Sequence, residues 1–349
     1  MPDFVEEALV KAVRDDSSPH YTAPIGNEEL KRLIAEKLEK QNNLHVDPSR
    51  NILITPGSDS GLYFAILPFI NDGDEVMIPS PSYPNNYLDV ETMGGKVVPI
   101  VLSDKDGYQL DVDQMREKLN SKTKMVLLTH PNNPTTTVYN RESLEKLRDF
   151  VVDNDLILVV DQAFEDFTYD NEMITPASMD GMFERTVTVF SFSKGMGLSG
   201  LRVGYIVTDD HIMDTMFANA VGVIGATSTS SQKAIIEAMK HPEFMKIFED
   251  AYEYRRHKAF EILNSIPNVS CELPQSGFLC WVDVSKLGKS SDIVSYLVKE
   301  AKVSVNDGIN YGEGGKGHLR IVLGVYKDNS RVVDALVRIK EALTKYQGL

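Results

Sequence analysis

Basic residues are scarce in this chain: 36 Lys and Arg stand against 51 Asp and Glu, a formal charge of −15 over 349 residues. Binding DNA or RNA requires a cationic face that displaces counterions from phosphates, and no Lys/Arg run provides one, so nucleic acid is excluded as a partner. Cysteine is almost absent. Cys271 and Cys280 lack C-x-x-C spacing, so neither a disulfide framework nor a zinc knuckle is expected, and a reducing cytoplasm suits the chain. No apolar run approaches the roughly 20 residues of a membrane span. The first residues, MPDFVEEALVKAVRDD, lack the basic and apolar regions of a signal peptide, so a soluble, unexported protein with no membrane contact is expected. H-E-x-x-H and clustered His/Cys ligands are missing, so no metal is expected. Internal repeats and low-complexity linkers are missing as well.

What is present suffices for two hydrophobic cores, with 42% hydrophobic residues. From Asn51 to Val207 short β-rich runs alternate with helical patterns: NILIT, DEVMIP, KVVPIV, KMVLLT, LILVVD, TVTVFSF and RVGYIV, each bounded by Gly, Pro, Asn or Asp. This predicts an α/β fold with a mainly parallel central sheet flanked by helices. KMVLLT and LILVVD are apolar at successive positions, as strands buried on both faces are, and RESLEKLRDFVVDN between them supplies the crossover helix. Earlier, NEELKRLIAEKLEKQ places Leu30, Leu33, Ile34 and Leu38 on one helical face. After about residue 208 the pattern turns helical, then gives GFLCWVDV, GHLRIVLG and a closing helix. The reading divides the chain into an N-terminal segment (1–40), a large domain (41–245) and a smaller α+β domain (246–349).

An acidic surface repels anions, so any phosphate or carboxylate must be held by a few local cations and helix ends. SFSKGMGLSGLRVGY is the segment most suited to this. Here a β-rich run ends in Ser191-x-Ser193-Lys194, passes three glycines, and resumes as a strand expected to contain Arg202. Partial burial lowers an amine's pKa, and a neutral amine condenses with aldehydes. Two hydroxyls and a guanidinium fork suit a phosphate monoester. ILITPGSDSGLYFAILPFI reads as strand, turn and helix with Ser58 as N-cap, leaving the amides of Ser58 and Asp59 free for phosphate oxygens; an ordinary capped helix is the alternative. Asp161 ends LILVVD and should lie at the carboxyl edge of the sheet, where open α/β folds bind ligands, unless it merely caps a helix. Arg320, a charge among strand residues, demands a partner, which a structural salt bridge would equally satisfy.

Taken together and in order, these segments resemble the class I/II aminotransferases, fold-type I enzymes that depend on pyridoxal 5′-phosphate. YTAPIGNEELKRLIA, TPGSDSGL, PSYP, HPNNPTT, VVDQAF, SFSKGMGLSGLR and GHLRI are similar to that family's successive motifs, across nearly the whole chain. The resemblance implies a Schiff base between Lys194 and the cofactor. It also implies that Tyr83 stacks on the cofactor ring, Asp161 keeps the ring nitrogen protonated, and Asn133 donates to the ring oxygen beside the substrate. Phe164 flanks the ring, while Ser58, Asp59, Ser191, Ser193 and Arg202 anchor the phosphate. Arg320 takes the α-carboxylate of amino acid and 2-oxo acid substrates. Tyr21 matches a position that reaches the phosphate of a neighbouring subunit, which implies a homodimer.

Four departures stand out. Phe164 replaces the family's usual tyrosine, which leaves Asn133 the only donor to the ring oxygen and should raise the pKa of the imine; Phe164→Tyr should lower it in a visible-absorbance titration. His130 replaces the first asparagine of the Asn-Pro motif, as a packed ring or as an extra acid or base. Thr136 replaces that motif's terminal glycine, and the amino-terminal arm looks short. Two G-x-G-x-x-G matches, GMGLSG and GEGGKG, run into strands rather than helices and are not dinucleotide fingerprints. The expected activity is transfer of an amino group from an amino acid to a 2-oxo acid. A lyase, decarboxylase or oxidase would begin from the same bound amino acid, and a ligand-sensing regulator would need a DNA-binding domain that this sequence lacks.

Overall fold

The computed structural model describes residues 1–15 and 18–347. Two helices open the chain, α1 (Asp3–Arg14) and α2 (Glu28–Asn42), and the alternating region follows: β1 (Ile52–Thr55), α3 (Ser58–Ile66), β2 (Glu75–Ser80), α4 (Pro84–Thr92) and β3 (Lys96–Val101). It continues with α5 (Val112–Lys118), β4 (Thr123–Thr129), α6 (Arg141–Asp153), β5 (Ile157–Asp161), β6 (Thr186–Ser191) and β7 (Gly204–Val207). Then come α7 (Asp210–Ile224), α8 (Thr229–Lys240), α9 (Lys246–Asn264), β8 (Ser270–Cys271), β9 (Leu279–Asp283), α10 (Ser290–Tyr296), β10 (Asn306–Asp307), β11 (His318–Val322) and α11 (Asn329–Thr344).

Seven strands form one sheet in the order β1-β7-β6-β5-β4-β2-β3. Pairing is parallel from β3 through β6, while β7 runs antiparallel to both neighbours, β6 and β1. The double burial expected of KMVLLT is explained by alternation between two cores. Met125 and Leu127 pack with residues of α3, α4 and α7, whereas Val126 and Leu128 pack on the other face with residues of α5 and α6. Leu30, Ile34 and Leu38 of α2 are fully buried in a third cluster that includes residues of α1, α8 and β7.

A second, antiparallel sheet, β10-β11-β9-β8, shares its own core with α9, α10 and α11. Hydrogen bonds tie it to the first sheet: Ser82 N donates to Tyr311 O at 2.9 Å, Gly314 N to Ser80 Oγ at 3.1 Å, and Ser276 Oγ to Thr136 O at 2.8 Å. Among the described residues no helix is long and apolar enough to cross a membrane.

Candidate active site

Because β7 alone is reversed, the carboxyl ends of β1, β2, β4, β5 and β6 share one sheet edge with the start of β7, the edge at which open α/β sheets bind ligands. Every residue singled out in the large sheet region, Tyr21 aside, follows one of those strand ends or precedes β7. Ser58 and Asp59 begin α3 after β1; Tyr83 follows β2; Asn133 follows β4; Asp161 ends β5 and Phe164 lies just beyond; Ser191 ends β6, followed by Ser193 and Lys194.

Lys194 is half-buried, and its amine has no hydrogen-bond or ion-pair partner among the described residues. Burial pushes its pKa down, with the cations Arg320 and Arg202 adding to the effect, while Asp161 and Asp59 oppose it. The amine lies 5.5 Å from the centre of the Phe164 ring. Phe164 is itself fixed: its ring tilts against Phe278 at 5.4 Å, and at Gly277, with φ +62°, a Cβ would come within 2.7 Å of it.

Asp161 is buried and accepts a hydrogen bond from Ala163 N at 3.1 Å. Burial pushes its pKa up to about 7; the negative charge of Asp59 adds to this, whereas the Ala163 amide and Lys194 lower it. No salt bridge offsets this carboxyl among the described residues, and a cationic ring N–H would stabilise its ionised form.

At the start of α3 the structure corrects the sequence reading. Ser58 is the first helical residue, and Gly57, at φ +87° and ψ 169°, is the N-cap, with no side-chain cap. The positive φ favours glycine here, and a Cβ would in addition lie 2.4 Å from Arg202 Nη2, displacing the guanidinium. The helix-start amides therefore remain available to an anion. Arg202 is a second correction. It precedes β7 in the left-handed conformation (φ 54°) rather than lying in the strand, and it donates to Ser199 O at 3.1 Å. Its Nη2 stands 3.5 Å from Asp59 Oδ2. Asp59 also accepts from Tyr83 Oη at 3.1 Å and Asn85 Nδ2 at 3.2 Å. Tyr83 is the N-cap of α4, set by Pro84 at the first helical position, and burial raises its hydroxyl pKa. Ser193 N donates to Ser191 Oγ at 3.2 Å, closing the turn that presents Lys194.

Arg320 comes from β11 in the second sheet yet reaches the first. Its Nη1 donates to Asn133 Oδ1 at 3.0 Å, and its Nε and Nη2 donate to Asn306 Oδ1 at 3.3 and 3.0 Å. No carboxylate pairs with it among the described residues, so the anticipated alternative of a structural salt bridge does not apply. Accepting from Arg320 orients the buried Asn133 amide with its Nδ2 free to donate elsewhere. Tyr21, by contrast, is 95% exposed and meets none of these residues.

His130 adopts the packed role. It is fully buried, stacked on Tyr139 at 5.3 Å, with Nε2 3.1 Å from Ile174 O and Nδ1 accepting from Tyr139 N at 3.4 Å. Burial pushes its pKa down to about 4, opposed by the Ile174 carbonyl, so the ring is neutral at physiological pH. Thr136 occupies the left-handed region (φ 66°).

Several neighbours escaped the sequence reading. Asn306 and Tyr311, whose ring centre lies 4.8 Å from Arg320 Cζ, lie in a segment without a recognisable pattern. Asp166 sits behind Gly195, where a Cβ would collide with its carboxylate, and next to the Lys37–Glu165 ion pair. The run of acids in QAFEDF beside a buried strand was the one available signal.

Among the described residues the donor set suits a phosphorylated pyridine aldehyde on three counts: a half-buried amine without a hydrogen-bond or ion-pair partner, a buried carboxyl without a salt bridge, and a helix start with no side-chain cap beside an arginine. Comparison with known proteins agrees. The family model described as aminotransferase class I and II matches residues 1–336. A probable aspartate/prephenate aminotransferase of Aquifex aeolicus (strain VF5) is 32% identical over 98% of this chain and 88% of its own length. A solved aromatic aminotransferase from Pyrococcus horikoshii OT3 has a TM-score of 0.94 at 30% identity, covering 99% of this chain and 92% of that one. Thermus thermophilus aspartate aminotransferase with maleate gives a TM-score of 0.91 at 28% identity, covering 98% and 88%. The chain therefore belongs to the class I and II aminotransferases, pyridoxal-phosphate-dependent enzymes that move an amino group from an amino acid to a 2-oxo acid.

Proposed function

We propose that this aminotransferase holds pyridoxal phosphate on Lys194 and binds the α-carboxylate of both substrates on Arg320. The observation that carries the reading is that, among the described residues, the Lys194 amine has no hydrogen-bond or ion-pair partner yet is acted on by both Asp161 and Arg320, neither of which has a salt bridge. Pyridoxal phosphate, when bound, supplies an aldehyde that condenses with amines and a protonated ring that accepts the electron pair left when a Cα–H bond breaks.

The chain's own groups do the rest. Asp161 holds the countercharge for the ring nitrogen, and the α3 amides of Ser58 and Asp59, with Ser191, Ser193 and Arg202, hold the phosphate. Tyr83 and Phe164 border the ring and keep water from Lys194. Arg320 and Asn133 fix the substrate carboxylate, so the Cα–H bond is presented to Lys194. With a lowered proton affinity, Lys194 Nζ accepts that proton and returns it, acting as base and then acid. Positioning and fixed charges supply the acceleration.

Relatives are named for aspartate, prephenate or aromatic substrates, and what those share is an α-carboxylate beside an amino- or oxo-bearing carbon, the group that Arg320 would hold. We place the enzyme in the cytoplasm as a homodimer, with Tyr21 reaching the partner's phosphate site; its near-complete exposure supports that reading. Borohydride reduction of the cofactor-loaded protein followed by peptide mass mapping should give one adduct, on Lys194. Lys194→Ala should lower kcat by about 10⁴-fold. An adduct on another lysine would overturn the assignment.

A further inference from the structure

We propose that Asn306 is the positioning residue for Arg320, and that its neutrality reserves the guanidinium charge for the substrate carboxylate. The proposal rests on the reading of Arg320 as the carboxylate-binding group.

Asn306 lies on β10, in direct register with Arg320 on β11. A single oxygen, Asn306 Oδ1, accepts from Nε at 3.3 Å and from Nη2 at 3.0 Å, while Asn133 Oδ1 accepts from Nη1 at 3.0 Å. The third neighbour is the Tyr311 ring, 4.8 Å from Cζ. Of the guanidinium's five N–H donors, these bonds use three and leave one on each terminal nitrogen. Those two remaining N–H groups are the complement of a carboxylate. Among the described residues each of these contacts is neutral, so the arginine is held from both sheets without its charge being compensated.

This arrangement separates two requirements that usually conflict. A long side chain must be held still to avoid losing its freedom when ligand arrives, and the usual means is an aspartate or glutamate, which would also neutralise it. An amide oxygen does the first without the second. Aspartate at position 306 would match asparagine in size and accept the same two bonds, yet it would place an anion where the substrate's own carboxylate must approach.

The test uses cofactor-loaded enzyme and the calorimetric Kd for 2-oxoglutarate and for pyruvate, which has only a methyl group beyond the 2-oxo acid end; neither carries an amino group to transfer. Asn306→Asp should weaken binding about tenfold or more and Asn306→Ala about threefold, with kcat at saturation changed less than about threefold. A merely structural partner would give the opposite order, sparing Asn306→Asp and injuring Asn306→Ala. That order, or both variants staying within about twofold of wild type while Arg320→Ala loses about 100-fold, overturns the role of Asn306 and leaves Arg320 in place. If Arg320→Ala also binds normally, the reading of Arg320 itself falls, and with it this proposal.

Discussion

Arg202 and Arg320 both lie close enough to Lys194 to lower its proton affinity, yet they are partnered in opposite ways. Arg202 is half-exposed and shares its charge with Asp59, also half-exposed, at 3.5 Å. Arg320 is half-buried between two amides and a tyrosine ring, with no carboxylate partner among the described residues. The difference follows from the ligands each would serve. A phosphate dianion receives helix-start amides, hydroxyls and a guanidinium together, so one of its donors can be shared with a carboxylate. A lone α-carboxylate depends on one guanidinium, and a competing anion there would cost most of its binding.

The comparison breaks most easily at Arg320. Arg320→Ala should lower kcat/KM for the amino-acid donor by about 10² to 10³, with bound-cofactor absorbance unchanged, in steady-state assays across donors. If cofactor occupancy fell instead, the two arginines would not have separate duties. Next comes Asp161, the buried carboxyl that acts on Lys194 in the opposite sense to both arginines. A carboxyl whose pKa is held at about 7, above its unfolded value, binds protons more tightly in the native state, so its burial destabilises the fold increasingly as pH rises from about 4 to 7. In cofactor-free protein, Asp161→Asn should therefore raise stability at pH 8 by about 1–3 kcal/mol and change little at pH 4, as read by denaturant melts. With cofactor loaded, the same change should destabilise. A variant equally stable at both pH values would mean that the carboxylate is compensated after all. Arg202→Ala should have the smallest effect: about tenfold weaker cofactor affinity by equilibrium dialysis and kcat at saturating cofactor within about threefold.

Much of the fold was legible because its strands are short, apolar and punctuated. β4 and β5 fell within a residue of the expected runs, since burial on both faces leaves no polar position to blur them. The site motifs were legible where residues adjacent in sequence act together, as in Ser191, Ser193 and Lys194. Legibility failed where geometry depends on a distant partner. Ser58 looked like an N-cap because serine ordinarily is one, but the helix begins at Ser58 and Gly57, at φ +87°, occupies that position beside Arg202. Arg202 looked like a strand residue because LRVGYIV is β-rich, yet its left-handed turn is what brings the guanidinium to the α3 terminus. His130 left two roles open until Tyr139 and Ile174 enclosed it. Asn306 carried no sign of importance, because its contact with Arg320 spans 14 residues and two strands of a different sheet.

The sequence alone determined the strand and helix periodicities, the acidic charge balance, and the identity of the amine, carboxylate and arginines available for chemistry, because each depends on residue type and near neighbours. Tertiary structure decided which of those charges are compensated. That outcome turns on which groups from separate sheets come within hydrogen-bonding reach and how much water they exclude, and neither quantity is encoded in local spacing.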